Sequence, residues 1–482
     1  MSRNESPWLT LEQVLRVTEG TLLHPSPDRA ARTAFRGCSI DTRSVAEGEL
    51  FVPLPGTRAD GHDFVTTALE GKASGSLVAK SRPADPAWGR SRKPVIAVQD
   101  PLRALQALGS HCRGESGIPV TAITGSNGKT TTKEMIAAVL GSRYRVHKNR
   151  GNLNNHIGVP LTLTHLSPEH EMLVLEMGMS ARGEIRELAL LSSPNVGVLT
   201  NAGAAHLASL GTVDEVARAK SELAEALPHD GLLVLNRDDE RLWKLNRDRP
   251  IQIKSYSLEH GDADLVPAEA TVTAEGGARF TLPDRTEVHL RVLGRHNVRN
   301  ALASILVGDH FGVARAQAAQ ALGALRPEHH RLELLSSEGI FVLDDAYNAN
   351  PASMREALLL LGSIETRGER RAVLGDMLEL GPDSERFHEE VGGMVPRGAW
   401  LYVAGEFSRA MERGAMKAGV EPKRIRAFPS VPEMAAAVAK DAGAGDLVLV
   451  KGSRGMRLEQ VVERLVPGRK NAPDPLHAAG RS

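Results

Sequence analysis

One segment constrains the fold more than any other: residues 120–132, which read V-T-A-I-T-G-S-N-G-K-T-T-T. An apolar strand ends at Thr124, a glycine-rich turn follows, and a helix begins at Lys129. This order points backbone N–H groups and the start of a helix at a phosphate group. The spacing departs from the usual G-x-x-x-x-G-K-[ST], since position 123 is isoleucine, and has the short form G-x-x-G-K-T.

The residue types of this turn suit a nucleoside triphosphate. The Lys129 ammonium can reach the β- and γ-phosphates, and the Thr130 hydroxyl can ligate magnesium. The alternative is an ordinary tight turn from strand to helix with an exposed lysine. We predict an ATP-binding loop made of Gly125, Ser126, Asn127, Gly128, Lys129, Thr130 and Thr131.

The same alternation of strand and helix continues along the whole chain. Short apolar runs end in Gly, Asn or Asp and lead into helical periodicity, which favours α/β domains with largely parallel sheets. The predicted strands are Val95–Val98, Val120–Thr124, Met172–Glu176, Val196–Thr200, Leu232–Asn236, Phe341–Asp344, Ala372–Leu374, Leu401–Ala404 and Asp446–Val450. A length of 482 residues suggests about three domains. We place the breaks at Asp100-Pro101, which opens a helix, and at Arg326-Pro327, which gives domains of 1–99, 100–326 and 327–482.

Composition excludes several classes of function. Lysine and arginine total 59, as do aspartate and glutamate, so the chain lacks the positive field of a non-specific nucleic-acid binder. Its two cysteines, Cys38 and Cys112, exclude a disulfide framework and a multi-cysteine metal site. No long apolar run and no signal-peptide pattern occur. We therefore expect a soluble, cytoplasmic protein without membrane insertion.

Two further strands end in candidate metal ligands. Glu176 closes the run M-L-V-L-E, and His206 follows V-G-V-L-T-N-A-G-A-A. Carboxyl ends of parallel strands line one crevice, so these two side chains and Thr130 can converge. Oxygen ligands with one imidazole suit magnesium beside a nucleotide. Taken singly, each residue has a structural alternative: a helix cap for the glutamate and a backbone-bonded loop residue for the histidine.

Other polar positions leave two interpretations open. Lys220 lies on an amphipathic helix and by its pattern alone is a solvated surface lysine. The segment 149–155 is rich in asparagine, which fits either a series of tight turns or an amide surface for a sugar or peptide. Its asparagines are Asn149, Asn152, Asn154 and Asn155.

The third part of the chain offers two more candidates. Asp344 and Asp345 follow a strand, where acidic residues commonly accept a ribose hydroxyl. The last strand ends in V-K-G-S-R-G, residues 450–455, which is either an anion site or a simple turn.

These motifs together resemble those of the Mur ligases, the ATP-dependent amino-acid-adding enzymes of peptidoglycan precursor synthesis. The short T-G-S-N-G-K-T loop has the form that family uses, and the match runs from D-T-R-S (41–44) and G-E-L-F-V (48–52) to V-K-G-S-R (450–454). The segments D-G-H-D-F, G-N-L-N-N-H-I-G-V-P-L-T, N-A-G-A-A-H-L, D-D-A-Y-N-A-N-P and L-G-D-M-L-E-L-G resemble the branch that adds a dipeptide. The D-N-P-R motif of the branch that adds the third residue is absent, and Ala346 stands where serine is common.

The resemblance implies an architecture and a reaction. The three domains would be a small N-terminal α/β domain for the UDP moiety, a central P-loop ATPase-like domain with a mainly parallel sheet, and a C-terminal Rossmann-like domain. The substrates would be ATP, UDP-N-acetylmuramoyl-tripeptide and D-alanyl-D-alanine, with magnesium as cofactor and the chain acting as a monomer. ATP would phosphorylate the terminal carboxylate of the tripeptide, and the dipeptide amine would then attack the acyl phosphate.

The resemblance also implies roles for single residues. Lys129, His206 and Lys220 would be catalytic, and the metal ligands would be Thr130, Glu176, His206 and Lys220. Lys220 matches a lysine that is carbamylated in the family, where its new carboxylate helps to place a second magnesium. Further nucleotide contacts would come from Asn297, Asn300, Arg331 and Asp345. Substrate contacts would come from Asp41, Thr42, Arg43, Asn152, Asn154, Asn155, Tyr347, Asn348 and Asn350.

Two other functions are compatible with the motifs. A folylpolyglutamate-type or cyanophycin-type amide ligase would share the central domain, but D-T-R-S and G-E-L-F-V speak against it. A non-enzymatic nucleotide switch would leave the strand-end metal ligands and the third domain without a purpose.

Overall fold

The computed structural model describes residues 9–24, 33–56, 59–272 and 277–468. The signal-peptide prediction concerns residues 1–8, which lie outside these ranges, as does the end of the predicted third domain, 469–482. Among the described helices, none is both long and apolar enough to cross a bilayer. The predicted α/β architecture is confirmed: three separate, mainly parallel sheets follow one another along the chain.

The first domain is built on a five-stranded sheet. In spatial order its strands are Thr21–His24, Val95–Val98, Gly75–Ala79, Glu49–Phe51 and Gly37–Ser39, of which the first pairs antiparallel and the rest parallel. A short antiparallel pair, Leu9–Thr10 with Ala34–Phe35, lies beside it. Its helices are Leu11–Thr18, Gly61–Phe64 (3-10), Val65–Glu70 and Pro86–Arg90 (3-10).

The second domain contains a six-stranded sheet in which every pairing is parallel. The spatial order is Gln252–Tyr256, Leu232–Asn236, Val196–Leu199, Val120–Thr124, Met172–Glu176 and Val146–Lys148. Its central strands are apolar and buried on both faces because helices cover both sides of the sheet. The helices are Pro101–Ser116, Lys129–Gly141, Gly158–Thr164, Glu184–Ser192, Leu207–Leu210, Val213–Glu225, Glu240–Asn246, His296–His310 and Arg315–Ala324. A three-stranded antiparallel sheet, Glu269–Val272, Ala278–Thr281 and Glu287–Leu290, packs on one side.

The third domain has a second six-stranded sheet. The order is Glu333–Ser337, Ile340–Asp345, Leu447–Lys451, Arg370–Gly375, Trp400–Ala404 and Ile425–Phe428, with only the first pair antiparallel. Its helices are Pro351–Ser363, Ser384–Gly392, Ser408–Lys417, Val431–Asp441 and Glu459–Leu465. Short 3-10 turns occur at Gly381–Asp383, Pro422–Arg424 and Arg454–Met456.

The predicted strands all exist, and most differ from the prediction by one or two residues at an end. One difference concerns the site: Asp344 and Asp345 are the last two residues of their strand and do not follow it. They stay in the strand because they pair in register with Val450 and Lys451 of the last strand.

The helix Pro101–Ser116 joins the first domain to the second. Asp100 caps it by accepting from the N–H groups of Leu102 and Arg103, as the Asp-Pro pair predicts. Its residue Leu105 is buried in the core of the first domain, while Gly109 lies against Pro160 of the second. Because this helix packs against both the first and the second domain, the predicted domain boundary between residues 99 and 100 stays a prediction.

Candidate active site

The end of a neighbouring strand holds the phosphate loop, residues 125–128, in place. The Ser126 N–H donates to the Asn201 carbonyl at 2.8 Å, and the Asn127 N–H donates to Asn201 Oδ1 at 2.9 Å. Thr200 Oγ1 donates to the Asn127 carbonyl at 2.7 Å. Thr200 and Asn201, which follow the strand Val196–Leu199, therefore hold the loop through backbone and side-chain hydrogen bonds. The conformation of the loop does not depend on the loop sequence alone.

Two of the predicted glycines are required by space and backbone conformation. A Cβ on Gly125 would lie 1.8 Å from Thr200 Oγ1. Gly128 has a φ of +79° at the start of the helix, and its Cβ would lie 2.8 Å from Asn300 Oδ1. Glycine alone tolerates this approach, so the loop backbone lies directly against both neighbours.

Lys129 extends back over the loop. Its Nζ donates to the Gly125 carbonyl at 2.8 Å, which keeps the ammonium beside the turn. Burial lowers the pKa of this lysine, the charge of Arg331 lowers it further, and the carboxylate of Glu176 opposes both. The alternative of an exposed lysine on a plain turn therefore fails, because the ammonium lies within a shared set of charges.

Glu176 is buried at the end of its strand and accepts two side-chain hydrogen bonds. Thr130 Oγ1 donates to its Oε2 at 2.7 Å, and Asn154 Nδ2 donates to its Oε1 at 2.8 Å. Burial alone would raise the pKa of this carboxyl, but positive charges led by Lys129 and Lys133 hold it below its ordinary value. Its carboxylate oxygens are bonded by side chains and not by the first N–H groups of a helix, so Glu176 does not cap a helix.

The asparagine-rich segment forms turns as one interpretation predicts, and three of its asparagines line the cavity, whereas the sugar or peptide surface stays a prediction. Asn149 is buried and bonds the backbone of Glu176 twice, accepting from its N–H and donating to its carbonyl, both at 2.9 Å. Asn155 Oδ1 accepts from the N–H groups that open the helix Gly158–Thr164, a turn-forming role. Asn152 Oδ1 is buried without a hydrogen-bond partner, which leaves it available to a ligand.

The structure decides the interpretation of Lys220. Its side chain is 2% exposed and lines the same cavity as Lys129 and Glu176, so the solvated-lysine interpretation is wrong. The helical pattern missed this because the polar residues Lys220, Ser221 and Glu222 of the helix Val213–Glu225 are buried together with its apolar ones. Burial lowers the pKa of Lys220 well below its ordinary value, and the positive charge of Lys129 adds to the effect.

Residues of the third domain complete the cavity from the opposite side. Arg331 lies over the ring of Tyr347, with Cζ 4.0 Å from the ring centroid. Asn350 caps the helix Pro351–Ser363, and its Nδ2 donates to Asn127 Oδ1 of the phosphate loop at 2.7 Å. The third domain therefore contacts the phosphate loop directly.

The two neighbouring aspartates have different surroundings. Asp344 is fully buried and bonded to His330 Nδ1 at 2.8 Å, so it is structural. Asp345 lines the cavity, where its Oδ2 lies 2.5 Å from the Lys451 ammonium and its Oδ1 accepts from the Leu332 N–H. Lys451 also donates to the Asn348 carbonyl at 2.9 Å, which joins the last strand to the segment 345–350.

These side chains surround one cavity of about 730 Å³ between the second and third domains. Of the predicted residues, the cavity is lined by Ser126, Asn127, Gly128, Lys129, Thr130, Thr131, Asn152, Asn154, Asn155, Glu176, His206, Lys220, Asn297, Asn300, Arg331, Asp345, Tyr347, Asn348 and Asn350. Gly125 is the one predicted loop residue that does not line the cavity. The cavity is lined by five lysine and arginine side chains and seven carboxylates, so its suitability for a triphosphate rests on the phosphate loop at the start of a helix and not on an excess of positive charge.

The predicted uridine contacts lie apart from this cavity. Arg43 pairs with Asp41, with Nη2 2.9 Å from Oδ2, and neither they nor Thr42 line it. Among the described residues, no three His, Cys, Asp or Glu side chains converge as a ready-made metal site. Glu176 and His206 supply one carboxylate and one imidazole to the cavity.

Three positions that shape the site are not among the predicted site residues, although Asn149 and Lys451 lie in segments that the sequence singles out: Asn149, Asn201 and Lys451. Asn149 and Asn201 act by holding Glu176 and the phosphate loop, and Lys451 acts by holding Asp345. The only signal was their place at or after the end of a strand. Nothing in the sequence says which backbone groups each of them meets.

Family comparisons agree across the chain. Three sequence profiles match in order: the "Mur ligase family, catalytic domain" over 34–113, the "Mur ligase middle domain" over 123–308, and the "Mur ligase, glutamate ligase domain" over 330–454. A UDP-N-acetylmuramoyl-tripeptide–D-alanyl-D-alanine ligase of Bacillus subtilis is 40% identical over 462 residues, covering 95% of this chain and 98% of that protein. The Escherichia coli enzyme of the same name is 34% identical over 466 residues, with the same coverage of both chains.

Solved structures give the same result. A crystal structure of MurF from Acinetobacter baumannii is similar with a TM-score of 0.82 and 28% identity, covering 96% of this chain and 99% of that one. MurF ligase from Thermotoga maritima in complex with ADP has a TM-score of 0.76 and 28% identity, covering 89% and 97%. Folylpolyglutamate synthase of Mycobacterium tuberculosis, at 17% identity and a TM-score of 0.58, shares the fold alone.

Proposed function

Because the chain belongs to the Mur ligase family, we propose that it joins D-alanyl-D-alanine to a UDP-N-acetylmuramoyl-tripeptide at the expense of ATP. The products are UDP-N-acetylmuramoyl-pentapeptide, ADP and phosphate, in peptidoglycan precursor synthesis. One observation carries the proposal. The phosphate loop, the buried carboxylate of Glu176 and the buried Lys220 line one cavity together with residues of the third domain.

The reaction follows from the chemistry of a carboxylate, which is a poor electrophile. The γ-phosphoryl group of ATP passes to an oxygen of the terminal tripeptide carboxylate, and ADP leaves. The dipeptide amine attacks the carbonyl carbon of this acyl phosphate, phosphate departs with the shared oxygen, and an amide remains. Lys129 and the N–H groups of the phosphate loop stabilise the charge that develops on the transferring group.

The donor set of the cavity fits magnesium beside a triphosphate. Glu176 and His206 would hold the metal with the Thr130 hydroxyl, since hard cations prefer oxygen ligands. When bound, magnesium neutralises charge on the phosphate oxygens. Lys220 would join these residues as a carbamate, formed when its neutral amine takes up carbon dioxide and loses a proton. Its burial and its lowered pKa favour the neutral amine that this step needs.

We divide the remaining cavity residues by the ligand that we expect each to bind. We assign nucleotide binding to Asn297, Asn300, Arg331 and Asp345, and contacts with the tripeptide and dipeptide to Asn152, Asn154, Asn155, Tyr347, Asn348 and Asn350. The UDP group would bind to Asp41, Thr42 and Arg43, because the substrate is long enough for its UDP end to reach the first domain. The three sheets support domains of 1–99, 100–326 and 327–482. We expect the chain to act as a monomer in the cytoplasm, where ATP is available.

A substrate-resolved assay tests the function. ADP release is measured with D-alanyl-D-alanine and UDP-muramoyl tripeptides ending in either meso-diaminopimelate or lysine. We expect turnover that requires both the dipeptide and one of the tripeptides. ATP binding without turnover under any combination would instead support a nucleotide switch, and turnover with folate or arginine-aspartate acceptors would support another amide ligase.

Glu176 and His206 are expected to act as a metal pair. Changing either to alanine should raise the magnesium concentration required for half-maximal activity by about 10-fold or more, since each supplies a ligand atom. The measurement is a magnesium titration of ADP release beside a thermal melt. Variants that melt earlier but keep the original magnesium dependence would show that both residues are structural.

Closure of the third domain on the second is expected to accompany substrate binding. The proposed nucleotide contacts come from both domains, with Lys129 on one side and Arg331 and Asp345 on the other. Such movements assemble a site and exclude water from a reactive intermediate. Small-angle scattering should show a smaller radius of gyration with an ATP analogue and UDP-tripeptide together than without them. An unchanged radius would mean that the chain works in one arrangement.

A further inference from the structure

A contact between the second and third domains reaches one of the proposed metal ligands. Glu379 of the third domain lies with Oε2 2.7 Å from Nδ1 of His206 in the second domain. The backbone reinforces this contact, because the Ala208 N–H donates to the Glu379 carbonyl at 3.1 Å. Gly381 lies against the same residue, since a Cβ on it would be 3.5 Å from Ala208 Cα. The segment 379–381 therefore docks on the turn that begins at His206.

Both partners of the side-chain bond have unusual backbone conformations. His206 has a φ of 57° and Glu379 a φ of 64°, in the left-handed region that non-glycine residues seldom occupy. Such conformations persist only where the surroundings impose them, and they cluster at functional sites. Each conformation directs one side chain toward the other domain.

The chemistry of the pair defines the state of the imidazole. The Glu379 carboxylate oxygen 2.7 Å from Nδ1 can act as a hydrogen-bond acceptor, which favours the His206 tautomer that carries its proton on Nδ1. In the neutral ring, Nε2 then keeps its lone pair, which is the form that binds a metal ion. Metal-binding histidines commonly donate their second nitrogen to a carboxylate, which fixes the ring orientation.

We propose that Glu379 is a positioning residue for the metal site: it reaches across the domain interface and holds His206 in the tautomer and orientation that bind magnesium. This inference rests on the proposed role of His206 as a metal ligand. It adds a link between domain closure and metal binding, because the carboxylate is supplied by the domain that closes. By thermodynamic reciprocity, metal bound to His206 would favour the closed arrangement to the same degree.

A purely structural role for the pair would be weak. The Glu379 side chain is 62% exposed, and exposed ion pairs contribute little to stability. The backbone bond to Ala208 does not involve the carboxylate, so the segment can dock without it. Removing the Glu379 carboxylate should therefore leave the fold intact and change mainly the tautomer and orientation of the His206 imidazole.

The test measures Mn²⁺ binding to the full chain with a non-hydrolysable ATP analogue, using the electron paramagnetic resonance signal of free Mn²⁺. We expect Glu379→Ala to weaken Mn²⁺ binding by about 10- to 100-fold, the usual cost of losing such a partner. Glu379→Gln should bind closer to the unmodified chain, since its amide oxygen still accepts from Nδ1. Asp383→Ala is the matched control, because Asp383 is also 62% exposed, lies four residues away and pairs only locally with Arg386.

A double substitution separates the possible failures. In a His206→Ala chain, adding Glu379→Ala should weaken Mn²⁺ binding no further, because the carboxylate acts through the imidazole. If His206→Ala by itself leaves Mn²⁺ binding unchanged, the proposed metal role of His206 fails and this inference fails with it. If His206→Ala weakens binding but Glu379→Ala does not, the metal site stands and the positioning role of Glu379 is wrong. The positioning role would also be wrong if Glu379→Ala weakened Mn²⁺ binding in the His206→Ala chain as much as it does in the unmodified chain.

Discussion

Lys220→Ala is expected to have almost no ligase activity, and short carboxylic acids such as formate or acetate are expected to restore part of it. A free ammonium beside a magnesium site would repel the metal, whereas a carbamate reverses the charge and supplies oxygen ligands. Loss of this group should reduce turnover by about 10²-fold or more, as removal of other preorganised charges does. Added carboxylate can fill the space left by the side chain, because Lys220 lines the cavity.

Two further variants control this experiment. Lys220→Arg should be as inactive as Lys220→Ala and should not respond to formate, since it keeps a positive charge and cannot form a carbamate. Arg218→Ala, on the exposed face of the same helix, should keep the original activity. Full activity in Lys220→Arg would show that the residue is an ordinary cation and that the carbamate hypothesis is wrong. Direct mass measurement of carbamate is not needed for that outcome.

Lys129→Ala is expected to abolish ligation while the protein stays folded. The ammonium lies beside the turn, 2.8 Å from the Gly125 carbonyl, where it can neutralise charge on the transferring phosphoryl group. Its loss should reduce kcat by about 10²- to 10³-fold. The measurement is ADP release at saturating substrates, with circular dichroism to verify the fold.

An exposed lysine of the same domain provides the control for this variant. Lys244 is 66% exposed and lies outside the cavity, so Lys244→Ala should keep its turnover. Turnover of Lys129→Ala within about threefold of the unmodified chain would contradict the assignment of the phosphate loop, since a transition-state contact costs far more.

Local sequence was enough for the elements and for the chemistry of the phosphate loop. The strands Val120–Thr124, Met172–Glu176 and Leu232–Asn236 have the predicted bounds, because buried parallel strands are short apolar runs that end in turn residues. Gly125 and Gly128 were predictable because a glycine-rich turn between a strand and a helix is typical of a phosphate loop, and the structure shows that a side chain at either position would clash. Family motifs added the other members of the cavity, and several of these motifs stand at the carboxyl ends of parallel strands, which meet at one edge of a sheet.

The tertiary structure alone decided what surrounds each of these residues. Lys220 has the pattern of a surface lysine, and only the packing of its helix under the cavity buries it. Asn149 looks like one more loop asparagine until the fold places it against the backbone of Glu176. The contact of His206 with Glu379 joins residues 173 positions apart. Burial, charge and hydrogen-bond partners are properties of neighbours in space, and a helical or strand period specifies only which face a residue occupies.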